Sequence, residues 1–324
     1  MVLDAARASI AATLGVRPDD VYFTSSGPTA LAAAVAGLMS TRAPGSTRAV
    51  MSAVESMAVQ EPVRRHASEV SVVGVDATGR IDLGALENQL RDPAALLCVQ
   101  AANGEVGTRQ PLDAAARLAR ASGVPLLVHA VQVIGRDPVP PEWDVLAASA
   151  RDWGGPAGVG MLAVRPGLRW RPDASPDRGW VGGFPDIPGA AAAASALEYV
   201  APWRAEESAR AFGLIDRIRT ALPDLIDGVT VAGDARDRLP HIVTFTCAGV
   251  TGEALVTELD RRGFSVASGS ACTSDARMPS QVLAAMGLPP EASIRVSLPF
   301  GCSEDTVDGF LNVLPEAVAA VRLD

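Results

Sequence analysis

The sequence predicts an α/β fold: a doubly wound, mainly parallel sheet, followed by a smaller C-terminal α+β domain. Three observations carry this. From the N-terminus to about Val164, short apolar runs alternate with helix-period segments, the pattern of successive βαβ units. Gly, Ser, Asn and His gather just after the strand segments, at the sheet edge where such folds bind ligands. A Pro- and Gly-rich stretch, Pro166 to Pro188, then breaks the alternation, and a different order of elements follows.

In chain order, apolar residues at helical spacing predict a helix over Leu3 to Leu14, and Arg17-Pro-Asp-Asp20 leads into a strand at Val21 to Thr24. Ser25-Ser-Gly-Pro28 turns that strand into a helix over Thr29 to Met39, with Pro28 suited to a first turn. The alternation continues: strand Ala49 to Val54, helix Ser56 to His66, strand Glu69 to Val75, helix Leu83 to Leu90, strand Ala95 to Gln100, helix Leu112 to Ala121, strand Pro125 to His129. Gly154 to Gly160, followed by Met161 to Val164, reads as a tight turn feeding a strand. An Ala-rich helix, Gly189 to Val200, closes the first domain, with the boundary near Pro202, giving domains over 1–201 and 202–324. The second domain is expected to hold helices over Arg204 to Leu222, Glu253 to Arg262, Ser280 to Met286 and Glu304 to Val321. Its expected strands are Val229 to Val231, Ile242 to Thr246, Ser265 to Val266 and Ser293 to Ser297.

Composition narrows the function. A chain of 324 residues, 48% hydrophobic, can bury a large core. A formal net charge of −9, with no basic run interleaved with aromatics, argues against nucleic-acid binding. The start, Met1-Val-Leu-Asp-Ala-Ala-Arg, has no signal-peptide pattern, and the Ala-rich run from Gly189 to Leu197 is too short to span a bilayer. A cytoplasmic protein with no membrane partner is the expectation. Cys98, Cys247, Cys272 and Cys302 form no Cys-x-x-Cys pair, and His66, His129 and His241 are scattered, so neither zinc nor a disulfide framework is signalled.

Four turns carry the candidate chemistry: Ser25 to Pro28, Ala101 to Gly107, His129 to Gln132, and Ser149 to Gly160. To these the second domain adds Ala267-Ser-Gly-Ser-Ala-Cys-Thr-Ser274, then Pro279-Ser-Gln-Val-Leu283 and Ser293-Ile-Arg-Val-Ser-Leu298. Together with Phe23 to Gly27, Asn103-Gly-Glu-Val-Gly107 and Gln132, these motifs closely resemble the cysteine desulfurases of the class V aminotransferase superfamily, over nearly the whole chain. The resemblance implies an aminotransferase-like large domain and a dimer with its sites near the interface. It also implies pyridoxal phosphate (PLP) held as a Schiff base on a lysine that later shuttles protons. Cys272 matches the cysteine that becomes a persulfide, and Arg295 the arginine that holds the substrate carboxylate. Ser149 matches a hydroxyl on the cofactor phosphate, and Gln132 the amide near the cofactor's ring oxygen.

The departures are heavier. Asp152 stands at the lysine position and Arg151 at the histidine before it, and the sequence contains no lysine at all. His129 stands where the family has the aspartate that pairs with the pyridine nitrogen, and Ser56 where a histidine stacks on the ring. Gly104 replaces a cofactor-contacting asparagine. Pro28 and Phe184 fall where the family places phosphate-binding threonines, and Pro28 also removes a backbone N–H from that turn. Against the family, the chain starts after the usual N-terminal cofactor-site segment. Covalent PLP is therefore excluded and no cofactor is expected, since an uncharged, non-covalent PLP would lack the lysine's acid–base help, worth about 10²–10⁴-fold.

Three readings of function follow. In the first, Cys272, set in a Gly/Ser-rich loop as expected for an accessible thiol, carries a persulfide from a donor to an acceptor protein; against it stands the reading of an inherited relic. In the second, the chain is a non-catalytic scaffold, a homodimer or a heterodimer with an active desulfurase. In the third, a residual enzyme binds PLP non-covalently, or a small acid through Arg295, Arg151 and Asp152. Asp152, Arg151 and His129 read rather as a hydrogen-bonded polar network filling a vacated pocket. Cys98 and Cys247 read as core.

Overall fold

The computed structural model describes residues 1–42, 47–269 and 279–322. Two compact units are present: one of residues 1–74, 81–102 and 110–204, the other of residues 75–80, 103–109 and 205–324.

The first unit begins with α1 (Val2–Leu14), ended by Gly15 in the left-handed conformation that favours glycine. Next come β1 (Val21–Thr24) and α2 (Gly27–Met39), whose first turn Ser26 caps by accepting from the Thr29 amide. Then follow β2 (Arg48–Ser52), α3 (Met57–His66), β3 (Glu69–Val73), α4 (Leu83–Gln89), β4 (Leu96–Gln100), α5 (Leu112–Ala121) and β5 (Leu126–His129). The unit closes with β6 (Val145–Ser149), β7 (Gly160–Val164) and α6 (Ile187–Val200). Among the described residues the sheet has the order β1-β7-β6-β5-β4-β2-β3. From β6 to β3 neighbours run parallel, while β7 is antiparallel to both β6 and β1. Every residue of β4, β5 and β6 is buried, as strands covered on both faces must be.

The doubly wound, mainly parallel sheet is as expected, but two elements differ in detail. Sequence reading passes over β6, because Val145-Leu-Ala-Ala-Ser149 lacks the alternation and aromatic content that mark a strand. Helix α2 begins two residues before Thr29, because Ser26 is its cap.

The second unit contains α7 (Arg204–Leu225), β8 (Val229–Ala232), β9 (Ile242–Cys247), α8 (Gly252–Arg261), α9 (Gln281–Ala285), β10 (Ser293–Ser297) and α10 (Glu304–Val321). Its strands form an antiparallel sheet ordered β10-β9-β8. Ser265 and Val266 do not form the expected strand; the pairing there is a single bridge between Ala267 and Arg295. The core gathers Leu214, Ile218 and Leu222 of α7 with Phe245 of β9, Leu255 of α8 and Leu314 of α10.

Candidate functional site

Parallel strands deliver their carboxyl-terminal residues to one edge of a sheet, so the ends of β2, β5 and β6 set out this site. His129 is the last residue of β5, and Ser149 the last of β6. After Ser149 the chain enters a short helical turn, Ala150–Trp153, closed by Gly154 in the left-handed conformation. The turn buries Asp152 and Trp153 and leaves Arg151 exposed. Trp153 Nε1 donates to the Ala193 carbonyl of α6 at 2.9 Å, which fixes the turn against that helix.

Asp152 is 6% exposed. Gln132 Nε2 donates to its Oδ1 at 3.2 Å, while its Oδ2 has no hydrogen-bond partner. Burial pushes the carboxyl above its ordinary value; a hydrogen bond from the Gln132 backbone and the charges of Arg151, His129 and Arg136 pull the other way without prevailing. Gln132 reaches Asp152 from a backbone φ of 70°, the left-handed region that non-glycine residues seldom occupy.

His129 Nδ1 lies 3.4 Å from Glu55 Oε2 and 3.5 Å from Ser56 Oγ. Glu55 is buried in the turn between β2 and α3, and neither carboxyl oxygen makes a hydrogen bond. Sequence reading missed Glu55. A glutamate at the carboxyl end of a strand, immediately before the candidate Ser56, was the available signal. Ser149 packs against the start of α2 so closely that a Cβ on Gly27 would stand 2.8 Å from the Ser149 Cβ.

The structure thus brings Ser56, His129, Gln132 and Asp152 into one polar interior. Pro28 is exposed in the first turn of α2, and Phe184 is 97% exposed. Gly104 and Arg295 belong to the second unit, Arg295 on β10. Cys272 lies outside the described residues. Cys98 and Cys247 are core residues, as expected; burial raises both thiols, Cys247 to about 11. Cys302 is buried as well, and its thiol is raised by the same cause. Among the described residues, no group of three or more His, Cys, Asp or Glu is arranged to hold a metal, and no helix is long and apolar enough to cross a membrane.

The family model for aminotransferase class V matches residues 1–310. The chain belongs to the class-V aminotransferase family. Within this class-V family its relatives are cysteine desulfurases. One from Gluconacetobacter diazotrophicus is 33% identical over 334 residues, covering 99% of this chain and 83% of the relative. An IscS-like cysteine desulfurase from Mycobacterium tuberculosis is 34% identical, covering 99% and 86%. Among solved structures, a NifS-like protein superposes with a TM-score of 0.89 at 27% identity, covering 99% of this chain and 88% of that one. The aminotransferase-like α/β fold is therefore that of the family.

Proposed function

We propose that this class-V chain works in sulfur transfer without a PLP Schiff base, with Cys272 as the sulfur carrier. The observation that supports this is Asp152: a buried carboxyl, bonded to Gln132, stands where the family resemblance calls for an amine. A carboxyl cannot form an imine, and no lysine elsewhere in the sequence offers a substitute. His129, set against Glu55, supplies no carboxylate for a pyridinium nitrogen. The residues present do not fit a covalently held PLP, and no step is routed through it.

In the proposed step, the Cys272 thiolate attacks the outer sulfur of a donor persulfide. A new S–S bond forms on Cys272, the donor's S–S bond breaks, and the donor leaves as a thiolate, so no external oxidant is required. Mass spectrometry after incubation with a persulfide donor is expected to show one added sulfur on Cys272, removed by reductant and absent from Cys272→Ser. An unmodified Cys272 under conditions that load a genuine carrier would end this reading.

A second reading, a non-catalytic partner that pairs with itself or with an active desulfurase, is favoured by exposed aromatics on the first unit. Phe184, Tyr199 and Trp203 are 97%, 76% and 59% exposed, and Tyr199 and Trp203 stand four residues apart where α6 runs into the next helical turn; exposed large apolar side chains that lie together mark interaction surfaces. Light scattering of the purified chain, with and without a lysine-containing desulfurase, checks it. A monomer that ignores the desulfurase would rule it out.

A further inference from the structure

The polar interior at the ends of β5 and β6 has unmet hydrogen bonding. Buried polar atoms without partners are uncommon and call for a cause. Here Asp152 Oδ1 accepts from Gln132, while Oδ2, equally withdrawn from water, has no partner. Burial shifts the carboxyl toward its neutral form, and in that form, with Oδ1 accepting from Gln132, Oδ2 is a buried donor that lacks an acceptor. Two guanidiniums act on Asp152: Arg151 on its own turn, and Arg136 on the segment that follows β5, whose Nε donates to the Asp152 carbonyl at 3.5 Å. Glu55, on the β2 side, is set against His129. An occupant of this interior must therefore offer an acceptor oxygen to Oδ2, and a negative charge suits its surroundings.

We propose that this interior binds a small carboxylate, one oxygen of which accepts a hydrogen bond from Asp152 Oδ2 while Arg151 and Arg136 supply the compensating charge. Such a hydrogen bond to an ionised acceptor is among the stronger kinds. The site lies wholly within the first unit and does not depend on sulfur carriage by Cys272, so either idea can fail without the other. A primary ammonium ligand would also suit an ionised Asp152, but it would have to bind beside two guanidiniums.

Three probes of similar size and different charge test this on the full chain: sodium propionate, propionamide and propylammonium chloride. Binding is followed by calorimetry and by the NMR signals of the Gln132 side-chain amide and the Trp153 indole. Propionate is expected to shift both signals. Its affinity should weaken about tenfold per pH unit above the folded pKa of Asp152, because the shared proton is lost. Asp152→Asn keeps a donor, so it should still bind propionate but without that pH dependence; Asp152→Leu should bind at least tenfold more weakly.

Preference for propylammonium would overturn the proposal, as would propionate binding independent of pH or undiminished in Asp152→Leu. Failure of propionate to bind at any pH would do the same. A pH dependence that persists in Asp152→Asn would take the effect away from Asp152 and also overturn it. If Asp152→Leu does not fold, the parent and Asn profiles decide the matter alone.

Discussion

Gln132 Nε2 donates to Asp152 Oδ1 across 3.2 Å, from a residue whose φ is 70°. The left-handed backbone of Gln132 costs on the order of 1 kcal/mol for a side chain with a Cβ. That cost is borne where the chain leaves β5 beside the hairpin that follows β6. The contact joins two candidate residues that the sequence places twenty positions apart.

Asp152 makes stability pH-dependent in a defined direction. Its folded pKa is raised above the unfolded value near 3.8. Its contribution is thus fully present below the unfolded value and is lost as pH rises through the folded one. Asp152→Asn, nearly isosteric and uncharged, escapes that loss. Thermal unfolding at pH 4, 6 and 8 should show Asp152→Asn gaining on the parent as pH rises; a constant difference would contradict it.

The three described cysteines should be slow to alkylate in the folded chain. With its thiol raised to about 11, Cys247 is about 0.1% thiolate at pH 8, against roughly a quarter for a free thiol. Cys98 and Cys302 are raised in the same direction by burial. Timed alkylation read by peptide mass spectrometry should mark Cys272 first, with the others following only on unfolding. Early label on Cys247 or Cys98 would count against the packing described.

Arg238 and Asp216 should respond unequally to substitution. Arg238 is fully buried, stacks on Phe212 at 3.9 Å and pairs with Asp216, whose side chain is half exposed. Removing the acid by Asp216→Ala leaves a buried guanidinium without its counter-charge and should cost about 2–4 kcal/mol. Arg238→Met keeps most of the volume and leaves only a solvated carboxylate, at about 1 kcal/mol or less. Denaturant unfolding of the two variants gives the order; equal costs would refute the asymmetry.

Two glycines hold the start of α2 against the strands. A Cβ on Gly27 would press on Ser149, and one on Gly160 would overlap the Ser26 carbonyl. Gly27→Ala meets a side chain and should cost about 1–3 kcal/mol. Gly160→Ala meets backbone, which yields less, and should cost more. Urea midpoints of the two variants test that order.

Much of the fold is legible from local pattern. Periodicity locates α1, β4, α5 and α10, and the break after Val164 marks the end of the strand–helix alternation, because helix and strand repeats and caps are written in neighbouring residues. β6 is not legible in this way: Val145 to Ser149 becomes a strand through the partners on either side.

The same division runs through the site. The sequence by itself determines that the chain has no lysine and that Asp152, His129 and Ser56 stand at the ends of elements. Tertiary structure alone decides that Glu55 faces His129, that Gln132 bonds to Asp152, and that one oxygen of that carboxyl is buried without a partner. Ser56 and His129 are 73 residues apart, and only the order β5-β4-β2 in the sheet brings them within 3.5 Å. Side-chain chemistry is a property of each residue, but burial and partnership are properties of the packed sheet, and these raise the pKa of Asp152.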